Sequence, residues 1–209
     1  MLPIPDPLED TDIDQAVLFG SICDDLVAKS YSVQRNALPH GLVKLLSERA
    51  RYEDDLQYTP AGIGRAIDHQ KNQTIRRTDI VWIGNEIFPD KKWNEWADKL
   101  KTALNRDLFL GLQYFESHYA RYNEGDFYKR HLDAFKGAGN RRISVVLFLN
   151  ALWKNTDAGE LRLYVGTDHK EQILIAPEIG TLVVFLSDLI PHEVLPTNRT
   201  RYSIAGWYR

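Results

Sequence analysis

From Gln113 the chain reads QYFESHYARYNEGDFYKRHLDAFKGAGNRRISVVLFLN (residues 113–150), and the pattern set there runs on to the C-terminus. Short stretches rich in Val, Ile, Leu, Phe and Tyr alternate with turn residues. The spacing predicts strands at YFESHYARYN, FYKRHLD, RISVVLFLN, ELRLYV, QILIA, GTLVVFL, HEVLPT and RYSIAGWYR, with Gly, Asn, Asp and Pro between them. Strands following one another in this way with no intervening helix predict an antiparallel barrel or jelly roll.

Upstream of Gln113 the periodicity is mostly helical. IDQAVLFGSICDDLVAK places Val17, Leu18, Ile22, Leu26 and Val27 at helical spacing, behind an acidic lead-in of Asp6, Glu9, Asp10, Asp12 and Asp14 that suits a helix N-terminus. YSVQ is a short extended piece, and Pro39 can open a second helix, PHGLVKLLSERARYED. RRTDIVWI reads as a strand. KKWNEWADKLKTALNRDLF reads as an amphipathic helix whose Trp93, Trp96, Leu100 and Leu104 form a core stripe rather than a docking surface. Residues 57–74, broken by Pro60, Gly62 and Gly64, form a long polar loop of the kind that carries function.

The chain has 209 residues, 44% hydrophobic and 26% charged, which is enough for one domain with a real core. Its net charge is −3, so it lacks the basic excess of a nucleic-acid-binding surface, and nucleic acid is not the expected partner. Cys23 is the only cysteine, so no intramolecular disulfide forms, as befits a reducing compartment. MLPIPDPLED lacks a basic and an apolar region, and the longest apolar runs are too short for a bilayer. The expectation is a cytoplasmic protein with no membrane partner.

Within FYKRHLD, His131 and Asp133 stand two apart. On a strand, such residues point to the same face and aim an imidazole and a carboxylate at one point. With six histidines and eighteen aspartates, His-x-Asp decides little by itself, and His169-Lys170-Glu171 is a decoy, placed beside Gly166 in what reads as a hairpin tip. A third ligand on a later strand would complete the facial triad of non-haem iron, and His192, after GTLVVFL and the turn SDLIP, qualifies. Nine residues on, Arg201 faces inward on a mostly apolar strand, which is costly unless it meets an anion, and its planar fork suits a carboxylate. Ser203 shares its face. Together these imply a small dicarboxylate that reaches the metal with its other end.

Taken in order, RYNEGDFYKRHLD, VVLFLN, GELRLY, VVFLSDLIPHEV and TRYSIAGWY resemble an iron(II)- and 2-oxoglutarate-dependent dioxygenase of the prolyl 4-hydroxylase type, close to the oxygen-sensing prolyl hydroxylases and their bacterial relatives. The resemblance spans roughly Tyr119 to Arg209, and IRRTDIVWI is similar to the strand that follows the substrate-covering loop in that branch. It implies a double-stranded β-helix, mainly β with N-terminal helices packed on one sheet. On that basis 1–209 is a single domain, with 1–110 as helical support carrying a substrate-covering loop at about 57–74, and 111–209 as the catalytic core.

The resemblance further implies iron ligands at His131, Asp133 and His192, the far carboxylate of 2-oxoglutarate on Arg201, and Tyr122 bordering the co-substrate. Tyr128 would lie near a bound prolyl group and Trp207 would line the metal pocket. The oxygen sensors have a tyrosine where this chain has Phe148, which cannot hydrogen-bond, and its role falls to Ser203. Dioxygen is the second co-substrate and ascorbate a reductant. The implied substrate is a prolyl residue in a protein, a translation elongation factor among the bacterial targets; a small molecule, a nucleobase or another residue, or a non-catalytic metal-binding sensor module, are the rival readings. Arg76 and Arg77, with Arg65 and Lys71, either form a solvated face or meet an acidic partner under the closing loop. Tyr122, Tyr128 and Trp207 also fit as core aromatics.

Overall fold

A computed structural model describes residues 14–52, 56–61, 74–134 and 141–209. Its helices are α1 (Gln15–Lys29), α2 (His40–Tyr52) and α3 (Phe88–Leu108). Its strands are β1 (Tyr31–Gln34), β2 (Thr59–Pro60), β3 (Asp79–Trp82), β4 (Phe115–Tyr122), β5 (Tyr128–His131), β6 (Ile143–Phe148), β7 (Leu161–Val165), β8 (Glu171–Ile175), β9 (Leu182–Leu186), β10 (His192–Val194) and β11 (Arg201–Tyr208). A seven-stranded sheet runs β1-β9-β6-β11-β4-β3-β2 and a four-stranded sheet runs β5-β10-β7-β8. The strand pairings within both sheets are antiparallel, giving the jelly roll that the strand spacing predicts.

The period-2 geometry of β6 and β9 builds two cores from one sheet. Ile143, Val145 and Leu147 on β6, with Leu182 and Val184 on β9, face the helices. Phe148, Val183 and Phe185 face the other way, against Leu161 and Leu163 of β7. Burial on both faces is why ISVVLF and LVVFL read as nearly unbroken apolar runs instead of alternating ones.

The helices cover the outer face of the large sheet. Trp93, Trp96, Leu100 and Leu104 of α3 are all buried, as their spacing predicts. The stripe on α1 differs from its expected composition: Phe19, Ile22, Cys23 and Leu26 are buried, whereas Val17 and Val27 are 68% and 75% exposed. Positions 19, 22, 23 and 26 form one i, i+3, i+4, i+7 face, while 17 and 27 lie off it. Asp14 caps α1, its carboxylate accepting from the Ala16 and Val17 amides. The α3 helix starts earlier than its polar pattern suggests, with Pro89 in the first turn. Of the loop expected at 57–74, Thr59 and Pro60 are instead a short edge strand on β3, and 62–73, with Arg65 and Lys71, lie outside the described residues. No helix among the described residues is long and apolar enough to cross a membrane.

A buried polar cluster fixes helices to sheet. Asp90 of α3 accepts from Arg49 Nε of α2 at 3.0 Å and from the Tyr119 hydroxyl of β4 at 2.7 Å. The Trp93 indole donates to Ser117 Oγ of β4 at 3.0 Å, and the Tyr208 hydroxyl of β11 donates to the Ala97 carbonyl at 2.7 Å. Strands β4 and β11 are therefore held from behind by groups that cannot shift without losing buried hydrogen bonds. Asp90→Ala removes the acceptor shared by Arg49 and Tyr119, and should cost about 3 kcal/mol or more in urea denaturation. Asp90→Asn, which keeps an acceptor oxygen, should cost less.

Candidate metal centre

Strands β5 and β10 are antiparallel neighbours, and their register sets His131 directly opposite His192. The two imidazole centroids are 4.3 Å apart. Each ring turns Nδ1 to a backbone carbonyl two residues back: His131 to Lys129 at 2.7 Å and His192 to Ile190 at 3.1 Å. A carbonyl only accepts, so Nδ1 carries the proton and each Nε2 presents a lone pair.

Both Nε2 atoms face Asp133, at 3.7 Å from Oδ1 for His131 and 3.5 Å from Oδ2 for His192. The three residues each offer a ligand atom, all within 4.8 Å of one another. Burial pushes the His131 imidazole down to about 3, with His192 adding to the effect, so the ring is neutral. Burial would raise Asp133, but the two imidazoles and the Ser144 hydroxyl outweigh it and hold the carboxyl at about 2. Two imidazoles and a carboxylate, each oriented by a second contact, are a donor set for a divalent transition metal.

The route by which Asp133 reaches the site differs from the strand alternation predicted for it. Strand β5 ends at His131, and the chain bends at Asp133. Ser144 of β6, in the opposite sheet, donates to Oδ2 at 2.7 Å and is itself paired with Ser187 at 2.8 Å. A hydroxyl across the sandwich aims the carboxylate.

The donor set opens on a cavity of about 250 Å³. In the β4–β11 register, Arg201 stands opposite Tyr122 and Ser203 opposite Ala120, and all four line this cavity. Arg201 is 1% exposed. Its Nε donates to the Gly159 carbonyl at 2.9 Å and its Nη1 to Ser203 Oγ at 3.2 Å, but Nη2 has no partner among the described residues. Burial lowers the guanidinium to about 10, against the pull of Tyr122 and Glu160, so it stays a cation at neutral pH. Phe148 and Tyr122 each lie 5.0 Å from it, Phe148 offering only its ring. Gly159 is required here: its φ is +72°, and a Cβ would sit 2.8 Å from that of Thr197 and 3.3 Å from Arg201 Cδ.

Tyr128 stacks on His131 at 3.6 Å between centroids, and the Arg76 guanidinium lies 4.6 Å from the Tyr128 ring. Trp207 lines the cavity under the Arg141 guanidinium, 3.7 Å from its ring, and its indole N–H is among the groups that lower the Asp133 carboxyl. Arg77 is exposed, rests on Phe127 and does not line the cavity, unlike Arg76. The decoy His169 sits in a turn with φ of 53°, outside the donor set. Sequence reasoning missed His118, Trp82, Arg141 and Ser144. His118 was within reach, because it precedes Ala120 and Tyr122 on the same face of β4.

The profile of the 2OG-Fe(II) oxygenase superfamily matches residues 117–209, which carry all of these groups except Trp82, Arg76 and Arg77. A crystal structure of a Pseudomonas putida prolyl-4-hydroxylase superposes with a TM-score of 0.82 at 38% identity, covering 91% of this chain and 98% of that one. The chain belongs to the 2OG-Fe(II) oxygenase superfamily. A Trichoplax adhaerens prolyl hydroxylase, solved with a hypoxia inducible factor peptide fragment, matches with a TM-score of 0.79 at 25% identity over 93% of this chain and 90% of that one. Human Egl nine homolog 1 is 38% identical over 87 residues, 40% of this chain. The chain spans a quarter or less of the Egl nine homologues it matches. It is a 2OG-Fe(II) oxygenase by family, and its His131, Asp133 and His192 donor set suits the iron(II) in that family's name.

His118 is 2% exposed, and burial, aided by the Arg76 and Arg141 charges, lowers it from 6.5 to about 3. Between those values the unfolded chain binds protons that the buried ring refuses. Unfolding is then favoured as pH falls, by up to about 1.4 kcal/mol per pH unit for each such histidine. The metal-free dioxygenase should therefore lose stability as pH falls below 6.5. His118→Leu should flatten that dependence, measured by urea unfolding across the range.

Proposed function

We propose that this dioxygenase hydroxylates a prolyl residue in a protein, with His131, Asp133 and His192 holding iron(II) and Arg201 holding the far carboxylate of 2-oxoglutarate. The observation that carries this reading is the buried Arg201 Nη2, without a partner among the described residues, which shares a cavity with two imidazoles and a carboxylate. A cation with a free donor needs an anion, and a dicarboxylate anchored there can reach the metal with its other end. Bound iron(II) supplies the oxidation, in which one atom of dioxygen becomes the substrate hydroxyl and the other enters 2-oxoglutarate, released as succinate and carbon dioxide.

The protein's own share is positioning. Ser203 orients the Arg201 fork, the Gly159 carbonyl fixes its stem, and Tyr122 and Phe148 exclude water around it. Tyr128, Trp207 and Arg76 border the remaining opening, where the prime substrate is taken to enter. The prolyl assignment is supported by the extent of the likeness to the Pseudomonas putida prolyl-4-hydroxylase and by a peptide bound to the Trichoplax neighbour. A translation elongation factor is the first protein to test, ascorbate the reductant to supply, and cytoplasm the proposed location. A paired donor set beside a free guanidinium favours turnover over a sensor that only binds metal.

His131→Ala and Asp133→Ala should abolish conversion of 2-oxoglutarate to succinate; turnover at the wild-type rate would overturn the metal assignment. Arg201→Ala should raise KM for 2-oxoglutarate by at least about 30-fold. Arg201→Lys should recover little of that, because an ammonium cannot reproduce the fork. Mass spectrometry of a proteome incubated with enzyme, iron and 2-oxoglutarate should show one added oxygen on proline. The same gain on other residues or on metabolites alone would shift the substrate class.

A further inference from the structure

His118 is not needed for the metal or for the co-substrate. On the cavity face of β11 the order is Arg201, Ser203, Ala205, Trp207, and opposite them on β4 stand Tyr122, Ala120, His118 and Glu116. Ser144, which aims Asp133, pairs with Trp207 in the β6–β11 register and so marks the level of the metal. His118 lies close to that level but on the other side of β11, next to Trp82 of β3. It is four residues, ~13 Å, along β4 from Tyr122 at the Arg201 end. A dicarboxylate running from Arg201 to the metal stays clear of it. Whatever approaches the metal from the β3 side does not.

The ring is fixed in one chemical state. Nδ1 faces the Tyr119 carbonyl at 3.1 Å and must donate to it, so Nε2 is left as an acceptor. Trp82 and Trp207 meet the ring at 5.3 and 5.4 Å between centroids, in edge-on geometry. No hydrogen-bond partner of Nε2 occurs among the described residues. Arg76 and Arg141, the nearest cations, are spread over Tyr128 and Trp207 instead. A neutral acceptor lining a cavity between two indoles is open to a donor that enters that cavity.

Resting on the prolyl reading above, the geometry points to His118 as a specificity-determining residue whose Nε2 accepts a hydrogen bond from a backbone N–H of the substrate peptide beside the target proline. The proline itself has no N–H, so the donor belongs to a flanking residue. The contact selects an extended peptide over a free imino acid and sets which side of the proline faces β3.

The test uses a proline-containing peptide that the wild-type enzyme hydroxylates, and versions of it in which each flanking amide N–H is replaced in turn by an ester oxygen. One ester should lower wild-type kcat/KM by about 5- to 10-fold, the worth of one hydrogen bond. His118→Leu should lose about as much on the parent peptide, and lose nothing more on that ester. His118→Gln, which places an acceptor oxygen at the same reach, should recover most of the parent rate and the ester sensitivity. The proposal is overturned if His118→Leu matches wild type on the parent peptide, or if it remains as sensitive to the ester. It is equally overturned if the loss appears as a raised KM for 2-oxoglutarate. If the wild-type enzyme hydroxylates no prolyl peptide at all, the prolyl reading fails and this assignment fails with it.

Discussion

A guanidinium sealed between two β-sheets is the constraint around which the interior of this dioxygenase is organised. Desolvating a cation costs several kcal/mol, and Arg201 recovers only part of that from one carbonyl and one hydroxyl. Its neighbours explain why the charge is tolerated. Gly159 has no side chain, so its carbonyl can approach the stem, and Thr197 closes the space a Cβ would need. Phe148 and Tyr122 flank the charge with ring faces, whose negative quadrupoles favour a cation. The fork's Nη2 is left without an acceptor among the described residues, and a bound carboxylate would supply one. Ligand binding and fold stability would be linked at this residue, because a ligand that binds only the folded state stabilises it by mass action.

Strand register turns that constraint into a site. Neighbouring positions on one strand face are two residues apart, so β4 and β11 lay out a graded surface: charge and hydroxyl at one end, small alanines in the middle, indole and imidazole at the other. Ala120 and Ala205 leave open the volume that bulkier residues would fill. The facing sheet supplies the metal donors through a single cross-strand pair, and one hydroxyl spans the sandwich to aim the third. Behind the large sheet, Asp90, Trp93 and Ala97 of α3 hold β4 and β11 by hydrogen bonds. The helices thus contribute to the chemistry by keeping those two strands in register.

Much of this was legible in the sequence, and the reasons are local. Strand spacing after Gln113 and the α3 stripe follow from short-range periodicity, which a single sequence displays, and the order His131, Asp133, His192, Arg201 follows from the resemblance to the prolyl 4-hydroxylase type. The misreadings came from information carried by tertiary contacts. Val17 and Val27 look like stripe residues until α3 and β1 decide which face of α1 is covered. Asp133 looks like a strand residue until Ser144, eleven positions on, is seen to pull it out of line. Arg76 and Arg77 are adjacent cations in the sequence, yet the pairing of Arg76 with Tyr128 turns one toward the cavity and leaves the other on the surface. His118 went unread because no motif marks a lone histidine on an apolar strand, and only the register shows what it faces.

Net charge is a poor guide to the mouth of the site. The chain carries −3 overall, yet the cavity lining includes Arg76, Arg141 and Arg201, and the one carboxylate there is committed to the histidines. Arg141 is shared with Glu116, which also takes Arg209, whereas Arg76 has no carboxylate partner among the described residues. Field inside a cleft with low-dielectric walls is set by the nearest charges and not by the molecular total. Among the described residues the opening is therefore locally positive, on a chain of net charge −3. Such an arrangement draws small anions toward the donor set.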